Sequence, residues 1–160
     1  MKVHARKSYA WINDKETDQP FTAQNQPFEI LGGQKCYKYL GVHINLKLDW
    51  SNQIVTTMKE HKQAIDELCR KCYLPGTIMI KLINQVITPR IEYKMNHIRF
   101  PDKVIKELED YTITKLNNTF RYPNISGNIW FNVRGLRKLS TMQTAATFST
   151  MINLLTNQQI

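Results

Sequence analysis

The spacing of hydrophobic positions changes near residue 50, and that change divides the chain. Before it, apolar residues come in short alternating runs. "YKYLGVHINL" (37–46) puts Tyr37, Tyr39 and Gly41 on one side and Leu40, Val42, Ile44 and Leu46 on the other. A period of two is that of a half-buried strand, or of a hairpin pinched near Gly41. "KSYAWIN" (7–13) and "FEIL" (28–31) are shorter strand candidates, and "DKETDQP" (14–20) is a polar turn with Pro20 as breaker. Gly32-Gly33 follows "FEIL", where the turn of an antiparallel hairpin is expected.

From Trp50 the apolar residues recur every three or four positions. Trp50, Ile54, Met58, Ile65, Leu68, Cys69 and Cys72 predict an amphipathic helix with Ser51 as N-cap. Pro75-Gly76 should end it and Thr77 should cap the next, whose stripe is Ile78, Met79, Leu82, Ile83, Val86 and Ile87. Pro89 lacks an N–H and crowds the preceding turn, so a kink or break is expected there, with "RIEYKMNHI" (90–98) continuing as a short helix. Pro101-Asp102 opens a third helix with Val104, Ile105, Leu108, Tyr111, Leu116 and Phe120 inward. "RYPNISG" (121–127) reads as a loop, "IWFNV" (129–133) as a short apolar segment and "TMQTAATFSTMINLLTN" (141–157) as a weaker last helix. The expected fold class is α+β: a short antiparallel hairpin region over 1–48, a bundle of three to four helices from 49 to 122, and a final segment over 123–160.

Composition supports a packed domain. A chain of 160 residues with 42% hydrophobic content is long and apolar enough to bury a core. No apolar run approaches the ~20 residues that span a bilayer, and no signal-peptide core precedes residue 30. An intracellular location is therefore expected, nuclear or cytoplasmic, without secretion or membrane partner. The glycosylation sequons at Asn117 and Asn124 are then chance matches.

Charge changes the picture more. The net charge is +9, and no acidic residue follows Asp110, whereas Lys115, Arg121, Arg134, Arg137 and Lys138 do. One sign of charge over a long segment points to a polyanion, most often nucleic acid; a solvated basic surface is the plainer alternative. Lys38, Lys47, Lys59, Lys62, Arg70, Lys71, Lys81 and Arg90 lie among Tyr37, Tyr39, Tyr73 and Tyr93. Cations near aromatic faces suit a groove that follows a phosphate backbone.

Other chemistry finds little support. Cys69 and Cys72 form a lone CxxC inside a helical pattern, where packing explains them better than zinc. The carboxylates of Glu107, Glu109 and Asp110 do not share one helix face, and they read as solvated. There is no phosphate loop, no adjacent Asp-Asp pair and no recognisable nucleophile–base set.

The order of segments resembles the C-terminal part of a reverse transcriptase from a non-LTR (LINE-like) retrotransposon. "MKVHARKSYAWIN" is similar to the stretch after the family's catalytic aspartate loop. "YKYLGVHINLKLDW" resembles its "(F/Y)KYLG…L(S/D)W" signature, and residues 51–122, with Pro89 and Tyr93, resemble its thumb helices. "IWFNVRGLRKLSTMQTAATFSTMINLL" resembles its post-thumb "GGLGL…L…A…L" segment, with Arg137 where a second glycine is expected.

The resemblance implies a palm end and primer grip over 1–48, then a thumb and a post-thumb segment. It implies that Tyr39, Leu40 and Gly41 hold a primer end, and that Lys7 matches the lysine after the catalytic loop. Lys59, Lys62, Arg70, Lys71 and Lys81 would contact duplex backbone. The family's metal-binding carboxylates lie in an upstream palm strand and a Tyr-x-Asp-Asp loop, and neither occurs here; on this alignment Met1 falls just downstream of that loop. No catalytic residue is thus expected, nor polymerase activity from this chain alone. No cofactor is expected either, since Mg²⁺ would belong to the upstream palm. The implied partners are RNA or an RNA–DNA hybrid, with an upstream palm/fingers chain or a larger ribonucleoprotein, and no small-molecule substrate. A structural helical subunit of a ribonucleoprotein or organellar complex is the alternative, followed by a zinc-binding regulator using Cys69 and Cys72.

Overall fold

The computed structural model describes residues 9–11, 22–23, 26–27, 29–31, 36–39, 41–45, 47–71 and 73–157. The chain falls into two compact units, residues 1–53 and 54–160. Helices follow a short-stranded start, so the class is α+β.

The first unit holds strands β1 (Tyr9–Trp11), β2 (Thr22–Ala23), β3 (Gln26–Pro27), β4 (Glu29–Leu31), β5 (Tyr37–Tyr39) and β6 (Val42–Ile44). β5 and β6 pair antiparallel, with Tyr39 opposite Val42 and Tyr37 opposite Ile44. The turn between them is therefore two residues long, and Gly41 takes φ +84°, a region costly for any residue with a Cβ. Of the two readings the alternation left open, a single half-buried strand or a hairpin pinched near Gly41, the hairpin is the one that forms. "FEIL" behaves differently from its expected antiparallel partnership, because β4 pairs in parallel with β1, Ala10 opposite Ile30. Parallel pairing joins strands distant in sequence, so no turn signal announces it. Gly32-Gly33 lies outside the described residues. β2 and β3 form a further antiparallel pair, too short to carry a period.

Gln53 fastens β6 to the first turn of the following helix. Its Oε1 accepts from the His43 backbone N–H at 2.7 Å and lies 2.8 Å from His43 Nδ1, which must carry the proton because an amide oxygen only accepts. Helix α1 (Ser51–Cys69) begins at Ser51, but Ser51 is not its cap. The Asp49 carboxylate accepts from both the backbone N–H and the hydroxyl of Ser51. Those bonds hold the Asp49 carboxyl below its ordinary range.

The second unit contains most of α1, then α2 (Gly76–Leu82), a π-helical turn (Ile83–Ile87), α3 (Thr88–Met95), α4 (Asp102–Phe120), a second π-helical turn (Ile129–Val133) and α5 (Leu139–Asn157). Its core gathers Ile65, Met79, Ile80, Ile83, Ile87, Leu116, Trp130 and Leu136, all buried. Ile65, Met79, Ile83, Ile87 and Leu116 belong to the predicted stripes, Ile80 lies outside them, and two residues come from beyond position 122.

Pro89 does not break the helix. The Thr88 N–H reaches back five residues to the Ile83 carbonyl, and Pro89 enters in the first turn of α3. The wider turn lets the pyrrolidine ring pass the backbone it would strike in a regular α-helix. Two smaller expectations change as well. α1 stops at Cys69, so the CRKC run leaves the helix, and Cys72 lies outside the described residues. Pro75, not Thr77, sits at the start of α2, where its carbonyl accepts from Ile78 and Met79.

Polar side chains fix the segment after α4. Arg121 ends that helix in the left-handed conformation, φ +53°. Buried Asn117 accepts from Trp130 Nε1 at 2.9 Å and donates to the Ile125 carbonyl at 3.0 Å, locking the loop against the helix. Asn84, in the first π turn, donates to Gly135 O and accepts from the Arg137 N–H. Gln143 on α5 pairs with both backbone groups of fully buried Phe100. Beyond Ala146, no described residue of α5 is buried.

Candidate nucleic-acid interface

Charged residues on α1 divide into those already engaged and those left free. Lys62 pairs with Glu107 at 2.6 Å and sits 5.3 Å from the centre of the Tyr111 ring. Lys115 reaches the same ring from α4 and pairs with Asp66 at 2.7 Å. The Tyr111 hydroxyl donates to Asp66, at 2.8 Å from either oxygen. Together these side chains clamp α1 to α4 through one aromatic ring between two cations. The bond from Lys115, then that from Tyr111, lowers the Asp66 pKa, and Asp66 in turn raises that of Lys115. Desolvation first, and donation to Asp66 second, raise the Tyr111 pKa.

Glu107 and Glu109 are therefore not merely solvated: Glu107 holds Lys62, and Glu109 accepts from the Ser140 N–H at the start of α5 at 2.8 Å. Asp110 alone of the three matches the solvated reading among the described contacts. Lys94 and Arg137 are also spent within the fold, on Glu60 and Glu92.

Lys59, Arg70, Lys71, Lys81 and Arg90 are exposed and have no ion pair among the described residues. Arg70, Lys71 and Arg90 line a surface groove between α1 and the α2–α3 stretch together with apolar Leu68, Leu82, Val86 and Ile87 and one carboxylate, Glu67. Lys59, Lys62 and Arg70 line a second groove along α1, where Asp66 and Glu67 interrupt the positive charge. Lys81 is exposed on α2 and lines neither groove. Arg90 completes the first groove and lies outside the resemblance-derived set. The signal for it was its four-residue spacing from Val86, which puts both on one helical face. Tyr73, in the connection after α1, is 77% exposed, as a stacking side chain must be.

In the first unit, Tyr39 is exposed beside the Gly41 turn, its ring 6.4 Å from that of Tyr37. Lys7 and Leu40 lie outside the described residues.

His61, the one deeply buried histidine among the described residues, has Nε2 3.1 Å from Thr112 Oγ1. That hydroxyl donates to Leu108 O, so His61 Nε2 must carry the proton and Nδ1 is a buried acceptor without a partner. Burial first, then the Lys62 charge, push the His61 pKa down to about 4. Cys69 is half-buried and its thiol pKa is raised, chiefly by desolvation, which suits packing better than reactivity. Among the described residues no three His, Cys, Asp or Glu gather as a metal site, and no helix is long and apolar enough to cross a membrane.

Compared with known proteins, the chain matches no family model, no curated protein and no solved structure.

Proposed function

We propose that this chain is a nucleic-acid-holding fragment of a retroelement reverse transcriptase, with the β5–β6 hairpin as primer grip and the helical unit as thumb. It would hold template-primer, and the catalytic carboxylates and their Mg²⁺ would belong to an upstream palm. The observation that carries the reading is the groove of Arg70, Lys71 and Arg90. Its cations are unspent while Lys62, Lys94, Lys115 and Arg137 are all paired internally. Unpaired guanidinium and ammonium groups beside apolar side chains can neutralise phosphates while those side chains take sugar faces, giving affinity without base readout.

A titration of RNA–DNA hybrid at several salt concentrations tests this. Binding should weaken linearly in log–log form, and Arg70→Ala or Lys71→Ala should each lower the slope by about one. No binding at low salt would end the proposal, and preference for single-stranded RNA would redirect it. A second reading, a helical subunit of a larger ribonucleoprotein, is favoured by the exposed apolar side chains late in α5. Co-purification with a protein complex that survives nuclease would support it.

A further inference from the structure

The end of the helical unit where α1 and α4 stop and α2 starts carries two exposed tyrosines. Tyr73, in the connection after α1, is 77% exposed, and Tyr122, just past α4, is 36% exposed. Packing brings their segments together. Gly76, the first residue of α2, lies so close to the Phe120 ring that a Cβ there would stand 3.3 Å from Cζ. The Tyr122 ring centroid is 5.8 Å from that of Phe120 and 6.0 Å from that of buried Trp130. These two neighbours hold Tyr122 in place, so it has little side-chain freedom left to lose on binding. Charge at this end has one sign. No Asp or Glu occurs from Leu68 to Ile91 or from Tyr111 to Ile160. Asp66 and Glu67, about one turn back on α1, are engaged by Lys115 and Gln63. Lys71 and Arg121 are exposed and form no ion pair among the described residues.

We infer that Tyr73 and Tyr122 form a stacking platform for the unpaired bases of a nucleic-acid strand leaving the groove of Arg70, Lys71 and Arg90. The inference rests on the nucleic-acid-holding role proposed above and adds to it a site for single strand beside the one for duplex. The groove reaches this end of the unit, because Lys71, which lines it, stands two residues before Tyr73. A duplex shows the faces of its bases only at its ends, whereas an unpaired strand offers one at every nucleotide. Stacking on a tyrosine ring uses that face and tolerates any sequence. Lys71 and Arg121 beside the rings supply the second half of the match, charge to the phosphates that link those bases. Packing does not account for Tyr73, which the fold leaves mostly uncovered.

Fluorescence-anisotropy titration of three labelled RNA–DNA hybrids at about 0.15 M salt tests the inference. One is blunt, one carries a short single-stranded extension at each end, and one carries abasic extensions of the same length. The phosphates of the two extended forms are equal, so their affinity ratio isolates the bases. The base-bearing form should bind at least about fivefold tighter than the abasic form. Tyr73→Leu and Tyr122→Leu should each cut that ratio by at least about half, while Tyr73→Phe, which keeps the ring, should preserve it. Equal affinity for the two extended forms, a ratio that either Leu variant leaves unchanged, or Tyr73→Phe behaving as Tyr73→Leu would each overturn the platform. Binding of the blunt hybrid would leave the holding role standing in every one of those cases. If the blunt hybrid does not bind, the holding role fails, and the same base-against-abasic comparison on isolated single strands decides the platform. If Tyr122→Leu loses helical circular dichroism, Tyr73→Leu alone decides.

Discussion

Replacing Asn117 by Leu should be among the most damaging single changes in the helical unit. The two side chains share one branched heavy-atom skeleton, so the largest change is the loss of polarity. It removes the acceptor of Trp130 Nε1 and the donor to the Ile125 carbonyl in one step. Trp130 is 2% exposed, so its orphaned N–H has no water to turn to. A buried polar group left unpaired costs about 1–3 kcal/mol. The Trp130 N–H should bear the upper part of that range, and the half-buried Ile125 carbonyl the lower part. The sum is about 3 kcal/mol, a substantial share of the 5–15 kcal/mol (roughly) that stabilises an ordinary domain. Equilibrium urea unfolding, followed by tryptophan fluorescence and circular dichroism, measures it as a lower midpoint at unchanged slope. Thermal unfolding should shift down by about 6–12 °C. A loss below about 0.5 kcal/mol, within the usual effect of a surface change, would refute the claim that this pair locks the post-helix loop. The same burial predicts that folded chain presents no glycan acceptor at Asn117, although Asn-Asn-Thr reads as a sequon.

Three further outcomes follow from other side chains. His61 has a folded pKa of about 4, below the ordinary 6.5, so the unfolded chain takes up its proton first; stability should fall as pH drops from about 6.5 to about 4, by about 3 kcal/mol in all, and His61→Gln should flatten that part of a urea-midpoint-versus-pH curve. Arg121→Gly should stabilise by about 1 kcal/mol in thermal unfolding, because only glycine takes the left-handed φ of +53° without penalty. Lys62→Ala should leave the salt slope of hybrid binding unchanged and cost less than about 1 kcal/mol of stability, because its charge is committed to Glu107 near the surface. A slope change in Lys62→Ala equal to that in Arg70→Ala would contradict the division between engaged and free cations.

Much of the helical unit was legible from apolar spacing. Of the Ile78–Ile87 stripe, Met79, Ile83 and Ile87 are buried while Ile78 and Val86 stay exposed. Of the Val104–Phe120 stripe, Ile105, Leu108 and Leu116 are buried, and Pro101-Asp102 opened α4 as expected. The π turn before Pro89 was not legible, since a proline inside a stripe announces a disturbance without saying how the backbone absorbs it. Of the candidate site, the sequence supplied the basic residues but not their allegiance. Lys62 and Arg70 look equivalent on one helix, and only the approach of α4 gives Lys62 a carboxylate.

The chain by itself determined where structure changes kind, strands before Trp50 and helices after it, and marked Gly41 as a place where a strand could turn. Those features depend on residues within a few positions of one another, where side-chain period and glycine's positive φ act directly. Tertiary structure alone decided that β4 joins β1 in parallel, that Asn117 serves Trp130, that Gln143 serves Phe100, and that Arg70, Lys71 and Arg90 face one groove. These choices are made between distant segments, by which faces meet once the apolar stripes are buried, and no local pattern encodes a partner that packing has yet to bring near.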